Sequence, residues 1–405
     1  MRVRARAYKV VLTIIALAAA VVLAVQQGLE ARVGQDFHVF WQAGHNFSSG
    51  APLYHWYLPG AREFKYPPFA AMVFQPLGAI PLRPAAILFS FLNLLLWAAA
   101  VALTRDIVAR TSPPRRSTWL PVALAAVLSA QFFLDNFHHA QMNQVTLVLI
   151  LLGLRAWLRG QDLGASAYLV TATALKLSPI FFLAWLLIRG RRQARWAVPP
   201  LAAACVLVPL LVRGPVTGAA ELTEYYDIFL KGHEQAQVGS YITGHNIASF
   251  VNRVMPDTAG SQATVRAVYR VAWVSVGLIL FAKLVHLRLR RAPVSALELS
   301  LPTLASLLLS PITFTANLVF LLFVFCAFLW IRFDTLPRWG RFLSLGLVVP
   351  MALTGLTGKD LVGRGMNQFV RDEGIFVLTM LLLFLAAAAL AGSRWTSPRG
   401  LKPQP

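Results

Sequence analysis

Long apolar runs separated by short polar segments dominate this chain of 405 residues. Runs near the ~20 residues that an upright membrane helix needs predict transmembrane helices. These runs cover 8–27, 85–104, 119–134, 144–158, 196–212, 266–284, 295–310, 317–331, 342–356 and 375–391. The run 164–188 is arginine-rich at both ends and interrupted by Lys176-Leu177-Ser178-Pro179, which predicts a hairpin of two short helices with Lys176 near its tip. The pattern predicts an all-α, polytopic integral membrane protein with about twelve transmembrane helices.

One transmembrane domain over 1–405 accounts for this pattern. Its polar residues concentrate in a large first extracytoplasmic loop, about 28–84, and in a second loop, about 213–265, ahead of C-terminal helices at about 295–391. The first apolar run could be a secretory signal. A retained first helix is favoured, because no small-x-small cleavage site precedes Gln26.

The charge distribution predicts the topology. The chain is 57% hydrophobic and 13% charged, with a net charge of +21. The basic residues form clusters between apolar runs, and no DNA- or RNA-binding pattern accompanies them, so nucleic acid is not an expected partner. If the basic clusters are assigned to the cytoplasm, the net charge is about +20 on the cytoplasmic side and about +1 on the other side, as the positive-inside rule predicts. We therefore expect a multi-pass protein of the inner (plasma) membrane with both termini in the cytoplasm.

The location of the polar residues limits the chemistry. The predicted cytoplasmic loops are short and contain no phosphate-binding motif such as GxxxxGK[ST] or GxGxxG. The polar segments lie on the extracytoplasmic side, where nucleotide-activated substrates are not expected. Group transfer on that face needs a donor carried by the membrane, and a polyprenyl-phosphate sugar is the natural candidate.

A series of short motifs then resembles a known family. In chain order they are Asp36-Phe37 with Phe40-Trp41, Leu53-Tyr54, Phe64-Lys65-Tyr66-Pro67-Pro68-Phe69, Gln141-Met142-Asn143, Lys176-Leu177-Ser178-Pro179, Gly244-His245-Asn246-Ile247-Ala248 with Arg253, and Leu309-Ser310-Pro311. The ordered set resembles glycosyltransferase family 87, which has the membrane-embedded GT-C architecture and includes polyprenyl-phosphate-mannose-dependent mannosyltransferases. The chain departs from the family at Phe314, Ala316 and Asn317, where a tryptophan and a histidine pair are usual.

The resemblance implies transfer of a hexose, with mannose the first candidate, to a glycolipid or glycan acceptor on the extracytoplasmic face. Asp36 matches the carboxylate that acts as general base in a single displacement with inversion. The residues expected at the donor phosphate are Lys176, Arg253, His245 and Arg364. Those expected at the sugars and the acceptor are Trp41, Tyr54, Tyr66, Gln141 and Asn143.

No cofactor is expected, and a divalent metal stays open. The cluster Asp135-Asn136-Phe137-His138-His139 lacks the spacing of a metal site. Other interpretations also remain: a snorkelling Lys176, solvated loop residues at His245 and Arg253, an interfacial aromatic belt, and helix capping by Gln141 and Asn143.

Two other functions remain open. The same chemistry could use another sugar, such as arabinofuranose, or the protein could be a non-catalytic transporter or flippase of polyprenyl lipids. A transporter would place paired ionisable residues within several helices. Apart from Lys176 the predicted spans are almost free of them, which favours an enzyme.

Overall fold

The computed structural model describes residues 18–30, 36–54, 63–231, 244–255, 261–331, 338–393 and 396. Within these residues the chain forms α-helices, a π-helical segment, a 3₁₀ segment and no β-strand. The all-α prediction is confirmed for this part of the chain. The beginning of the predicted span 8–27 and the middle of the predicted loop 213–265 lie outside it.

Helices occupy the predicted apolar runs wherever those runs are described. In chain order they are α1 (Ala18–Leu29), α2 (Asp36–Ser49), α3 (Pro68–Gly78), α4 (Leu82–Thr111), α5 (Trp119–His138), α6 (Asn143–Leu158), α7 (Asp162–Leu175), α8 (Ile180–Arg189), α9 (Arg192–Arg213), α10 (Pro215–Tyr225), the π-helical segment Tyr226–Lys231, α11 (Ile247–Val254), α12 (Ser261–Leu289), α13 (Ala296–Leu309), the 3₁₀ segment Thr315–Phe320, α14 (Leu321–Leu329), α15 (Arg338–Gly355), α16 (Lys359–Asp372) and α17 (Ile375–Leu390).

The predicted twelve membrane spans are not confirmed in the part of the chain that the structure describes. Among the described residues, four helices are long and apolar enough to cross a membrane, namely α4, α5, α9 and most of α12, and α15 with α16 makes a fifth if that pair, bent by 106°, counts as one span. The other apolar helices have 10–17 residues. At 1.5 Å per residue they reach at most about 26 Å, less than the ~30 Å of hydrocarbon. The apolar helices indicate an integral membrane protein, but twelve spans are not confirmed.

The short helices include some that pack inside the protein. α13 and α14 are buried along almost their whole length and form the centre of the larger hydrophobic core, against α4, α5, α8 and α17. A helix that is apolar on every side suits such a position as well as it suits lipid. Apolar content alone therefore does not distinguish a helix that packs inside the protein from one that faces lipid.

The hairpin predicted around Lys176 is present as α7 and α8. The chain leaves the helix after Leu175 and resumes at Ile180, because Pro179 disfavours a helical conformation in the residue before it. At the opposite end of the hairpin, Arg191 Nη1 lies 2.6 Å from Asp162 Oδ1. The two arms therefore return to the same level, and Lys176 lies at the turn.

The segment predicted as a large first loop contains two packed helices, α2 and α3. They cross at Gly44 and Gly78, where the backbones are in direct contact: a Cβ atom on Gly44 would lie 2.3 Å from the carbonyl oxygen of Phe74. The Phe37 ring stacks on Phe89 of α4, with ring centroids 5.1 Å apart. This packing holds the start of α2 beside the main bundle.

Arg213, the last residue of α9, holds the other end of α2. Its guanidinium donates hydrogen bonds to the carbonyl oxygens of Asn46 and Phe47, both at 3.2 Å, and of Ala51 at 2.7 Å, and it pairs with Glu221. A cation at the C-terminal end of a helix satisfies the unpaired carbonyls and complements the helix dipole. α2 is thus fixed at its middle and at both ends.

Candidate functional site

A cavity of about 1340 Å³ opens beside the start of α2, the turn between α5 and α6, and the hairpin turn at Lys176. Its polar lining includes Asp36, Asp135, His139, Gln141, Lys176 and Arg371. Its apolar lining includes Ile180, Phe181, Phe229, Trp273, Val274 and Leu309. A cavity with both kinds of wall suits an amphiphilic ligand that has a charged head and a hydrocarbon tail.

Asp36 is held at the cavity as an oriented carboxylate. It is the first residue of α2, where the exposed N–H groups favour a negative charge. Gln141 Nε2 donates a hydrogen bond to Asp36 Oδ2 at 2.6 Å, and the Asp36 side chain is 15% exposed. An enclosed, oriented carboxylate that reaches a cavity can accept a proton from a bound hydroxyl.

Lys176 faces the same cavity. Its Nζ atom donates to Asn143 Oδ1 at 2.6 Å, and Asn143 Nδ2 donates to the carbonyl oxygen of Ala316 at 3.2 Å. Asp36 lies within electrostatic reach of the ammonium group. An ammonium has three donors, and Asn143 accepts one of them. The structure thus brings the predicted base and the predicted phosphate ligand together, and it places Asn143 as a partner of the lysine.

The positions at which the chain departs from the family lie on the cavity wall. Phe314, Ala316 and Asn317 all contribute to the lining. Asn317 Nδ2 donates to the carbonyl oxygen of Ile312 at 3.4 Å. Residues at these positions therefore shape the cavity surface.

His245 and Arg253 lie outside this cavity lining. His245 is buried, and its Nε2 atom lies 3.1 Å from Thr315 Oγ1. Burial, together with the nearby charges of Arg371 and Arg253, lowers the pKa of His245 to about 3. The imidazole is therefore neutral at pH 7 and offers no positive charge to a phosphate. Arg253 Nη1 donates to the carbonyl oxygen of Gly244 at 2.6 Å and holds the turn before α11.

Arg364 also lies away from the cavity lining, on an exposed part of α16. The helix is kinked at Gly363, which has a φ of 79°. Arg371, further along the same helix, contributes to the cavity instead. The sequence analysis predicted Arg364 as a candidate ligand of the donor phosphate and did not indicate Arg371.

Two of the three predicted aromatic ligands donate hydrogen bonds to backbone carbonyls. Trp41 Nε1 donates to the carbonyl oxygen of Ile80 at 2.8 Å, and the Tyr54 hydroxyl donates to the carbonyl oxygen of Tyr66 at 2.8 Å. Neither side chain belongs to the cavity lining, whereas Tyr66 does. Tyr54 thus fixes the segment that presents Tyr66.

His139 is a further site residue that the sequence indicated only as part of a polar cluster. Its Nδ1 atom lies 3.8 Å from Asp36 Oδ2, and its Nε2 atom lies 3.9 Å from Asp135 Oδ1. Among the described residues, no three His, Cys, Asp or Glu side chains are grouped so that they could hold a metal ion. The signal that could have indicated His139 is its position two residues before Gln141.

Comparison with known proteins places this site in a family. The sequence profile described as Glycosyltransferase family 87 matches residues 64–311, which is more than half of the chain. The chain belongs to glycosyltransferase family 87. The match includes Tyr66, Gln141, Asn143 and Lys176, whereas Asp36 precedes it.

Two curated relatives have the same name, polyprenol-phosphate-mannose-dependent alpha-(1-2)-phosphatidylinositol mannoside mannosyltransferase. The protein of Mycolicibacterium smegmatis is 28% identical over 239 residues, which is 54% of this chain and 52% of the relative. The protein of Mycobacterium tuberculosis is 27% identical over 301 residues, which is 70% of this chain and 65% of the relative. The aligned part of this family 87 chain therefore spans about half to two thirds of the length of these relatives.

Proposed function

We propose that this family 87 protein is an integral-membrane glycosyltransferase that transfers mannose from a polyprenyl-phosphate sugar to a hydroxyl group of a glycolipid or glycan acceptor. The observation that carries the proposal is the joint presentation of Asp36 and Lys176 to one cavity with polar and apolar walls. The names of the two relatives support the choice of a polyprenol-phosphate-mannose donor and a glycolipid acceptor.

Asp36 is the proposed general base. As the acceptor oxygen attacks the anomeric carbon, its O–H bond breaks and the proton moves to the Asp36 carboxylate. The new C–O bond forms while the bond between the anomeric carbon and the phosphate oxygen breaks, and its electron pair stays on that oxygen. A single displacement of this kind inverts the anomeric centre and needs one carboxylate. The hydrogen bond from Gln141 orients the base.

Lys176 is the proposed partner of the leaving phosphate. The phosphate gains negative charge as the anomeric bond breaks, and a fixed ammonium stabilises that charge. Asn143 holds the lysine at the cavity wall. The apolar lining from α8 and α12, which includes Phe181 and Trp273, is proposed to bind the polyprenyl chain beside the phosphate.

The proposed orientation places the cavity on the extracytoplasmic side and both termini in the cytoplasm. α6 supports this assignment: its first residue, Asn143, is bonded to Lys176 of the cavity wall, whereas Arg155 near its last turn pairs with Asp106 at 2.9 Å. The two sites lie at opposite ends of one helix, about 18 Å apart. Positive charge at the end remote from the cavity fits a cytoplasmic location.

The test is transfer by purified protein supplied with a panel of polyprenyl-phosphate sugars, measured as release of free polyprenyl phosphate. We expect turnover with the mannosyl donor, and loss of about a hundredfold or more in Asp36→Asn, which keeps the size of the side chain but removes the proton acceptor. The assay is run with and without a divalent cation, because metal dependence is open. Near-wild-type transfer by Asp36→Asn would refute the base assignment, and turnover with only a different sugar would refute mannose.

A further inference from the structure

Arg371 is one of the charged cavity residues that the proposed reaction leaves without a role. It lies in the last turn of α16, is half-buried and contributes to the cavity lining. Within the described part of the chain, its guanidinium makes no hydrogen bond and no ion pair within 4 Å. A guanidinium has five donors in a fixed fork, and such groups in enclosed sites normally have partners. The side chain is therefore available to a ligand.

The charges around Arg371 favour an anion there. Asp135 is within electrostatic reach of Arg371, of Lys359 and of His139, so one carboxylate faces several basic groups. Arg253 is also within reach of Arg371. More of the charged side chains that line the whole cavity are positive than negative: Lys65, Lys176, Lys231, Arg270 and Arg371 against Asp36, Glu63 and Asp135. A bidentate acceptor such as a phosphate matches the geometry of a guanidinium.

The order of the polar residues along the cavity separates this position from the donor site. Lys176 is within electrostatic reach of Asp36, Asp36 lies 3.8 Å from His139, His139 lies 3.9 Å from Asp135, and Asp135 is within reach of Arg371. The proposed base thus belongs to a series of charged neighbours that has a cationic residue, Lys176 or Arg371, at each end. If the donor phosphate occupies the position at Lys176, the acceptor, whose attacking hydroxyl meets Asp36, extends toward Arg371.

We infer that Arg371 forms an anion subsite for the acceptor, which is a glycolipid or glycan carrying a phosphodiester or a similar anionic group. This inference rests on the proposed function, because it requires the base at Asp36 and the donor at Lys176. Arg371 acts by binding and positioning the acceptor.

Two synthetic acceptors test the subsite. Both carry a terminal mannose and the same alkyl chain. In the anionic acceptor a phosphodiester joins the mannose to the alkyl chain, and in the neutral acceptor an uncharged linker does. In the wild type we expect a KM for the anionic acceptor at least tenfold below that for the neutral one, and a preference that weakens as salt is added. Arg371→Gln should raise the KM for the anionic acceptor about tenfold or more, with the KM for the neutral acceptor and for the donor unchanged. Arg371→Lys, which keeps the charge but loses the fork, should show an intermediate preference.

Arg364→Gln is the matched control, because it removes the same charge from the same helix at an exposed position outside the cavity. It should leave all three KM values unchanged. A rise of the donor KM in Arg371→Gln would assign Arg371 to the donor phosphate and overturn the inference. Equal use of both acceptors by the wild type would also overturn it. If Arg371→Gln does not fold, the test relies on Arg371→Lys. A preference of that variant for the anionic acceptor equal to that of the wild type would then overturn the inference. A wild type that releases no polyprenyl phosphate with either acceptor refutes the proposed function itself.

Discussion

The crossing of α2 and α3 at Gly44 is expected to control the position of the proposed base. In Gly44→Ala the new Cβ atom would lie 2.3 Å from the carbonyl oxygen and 2.5 Å from the carbonyl carbon of Phe74. Both are backbone atoms, so no side-chain rotation relieves the contact. Restoring an ordinary contact requires a relative movement of the two helices of about 1 Å.

This movement is large compared with the tolerance of the site. Asp36 lies eight residues from Gly44 on the same helix, about 12 Å away. A shift of about 1 Å would lengthen the bond from Gln141 Nε2 to Asp36 Oδ2, now 2.6 Å, beyond hydrogen-bond range. We expect kcat to fall about a hundredfold, and the free energy of unfolding to fall by about 1–3 kcal/mol because of overpacking.

The assay measures release of polyprenyl phosphate and thermal unfolding on the same preparation, at a temperature at which the variant is folded. Gly277→Ala is the control, because Gly277 lies within α12 and a Cβ atom there would meet nothing within 4 Å. It should keep kcat, and it should be as stable as the wild type or more stable by up to about 1 kcal/mol. A folded Gly44→Ala protein with wild-type kcat would refute the link between the helix crossing and the site.

Three further predictions concern the donor, the pH dependence of stability and the topology. Lys176→Gln should raise the donor KM with little change in thermal stability; unchanged KM with lower stability would indicate a structural role. The pKa of His245 is about 3 in the folded protein, below its usual value of 6.5. Between these two pH values the unfolded chain binds a proton at His245 and the folded protein does not. The free energy of unfolding is therefore unaffected by this group above pH 6.5 and falls by about 1.4 kcal/mol per pH unit as the pH is lowered from 6.5 toward 3. Unfolding scans across this range should show a steeper acid decline in the wild type than in His245→Gln, and equal slopes would contradict a buried neutral imidazole. A cysteine in place of the exposed Ser49 should react with a membrane-impermeant thiol reagent added from outside, above the wild-type background. Labelling only after permeabilisation would contradict the proposed topology.

The helical class and some of the polar residues that line the cavity could be predicted from the sequence because both depend on local patterns. Apolar runs predict helices whatever surrounds them, and the break at Pro179 is a steric effect on the neighbouring residue. The ordered motifs named Asp36, Gln141 and Lys176 without any knowledge of packing. Which apolar helices face lipid could not be predicted in this way, since α13 is as apolar as a lipid-facing helix but is buried within the protein.

Only the tertiary structure decided which polar side chains meet. Asp36 and Gln141 are 105 residues apart and are brought together by the packing of α2 against its neighbours. Arg371 lines the cavity, whereas Arg364, seven residues earlier in the same helix, is exposed and outside the lining. His245 has the residue type of a phosphate ligand, but burial makes it neutral. Charge and proximity depend on contacts between distant segments, and a motif specifies the side chain without specifying its surroundings.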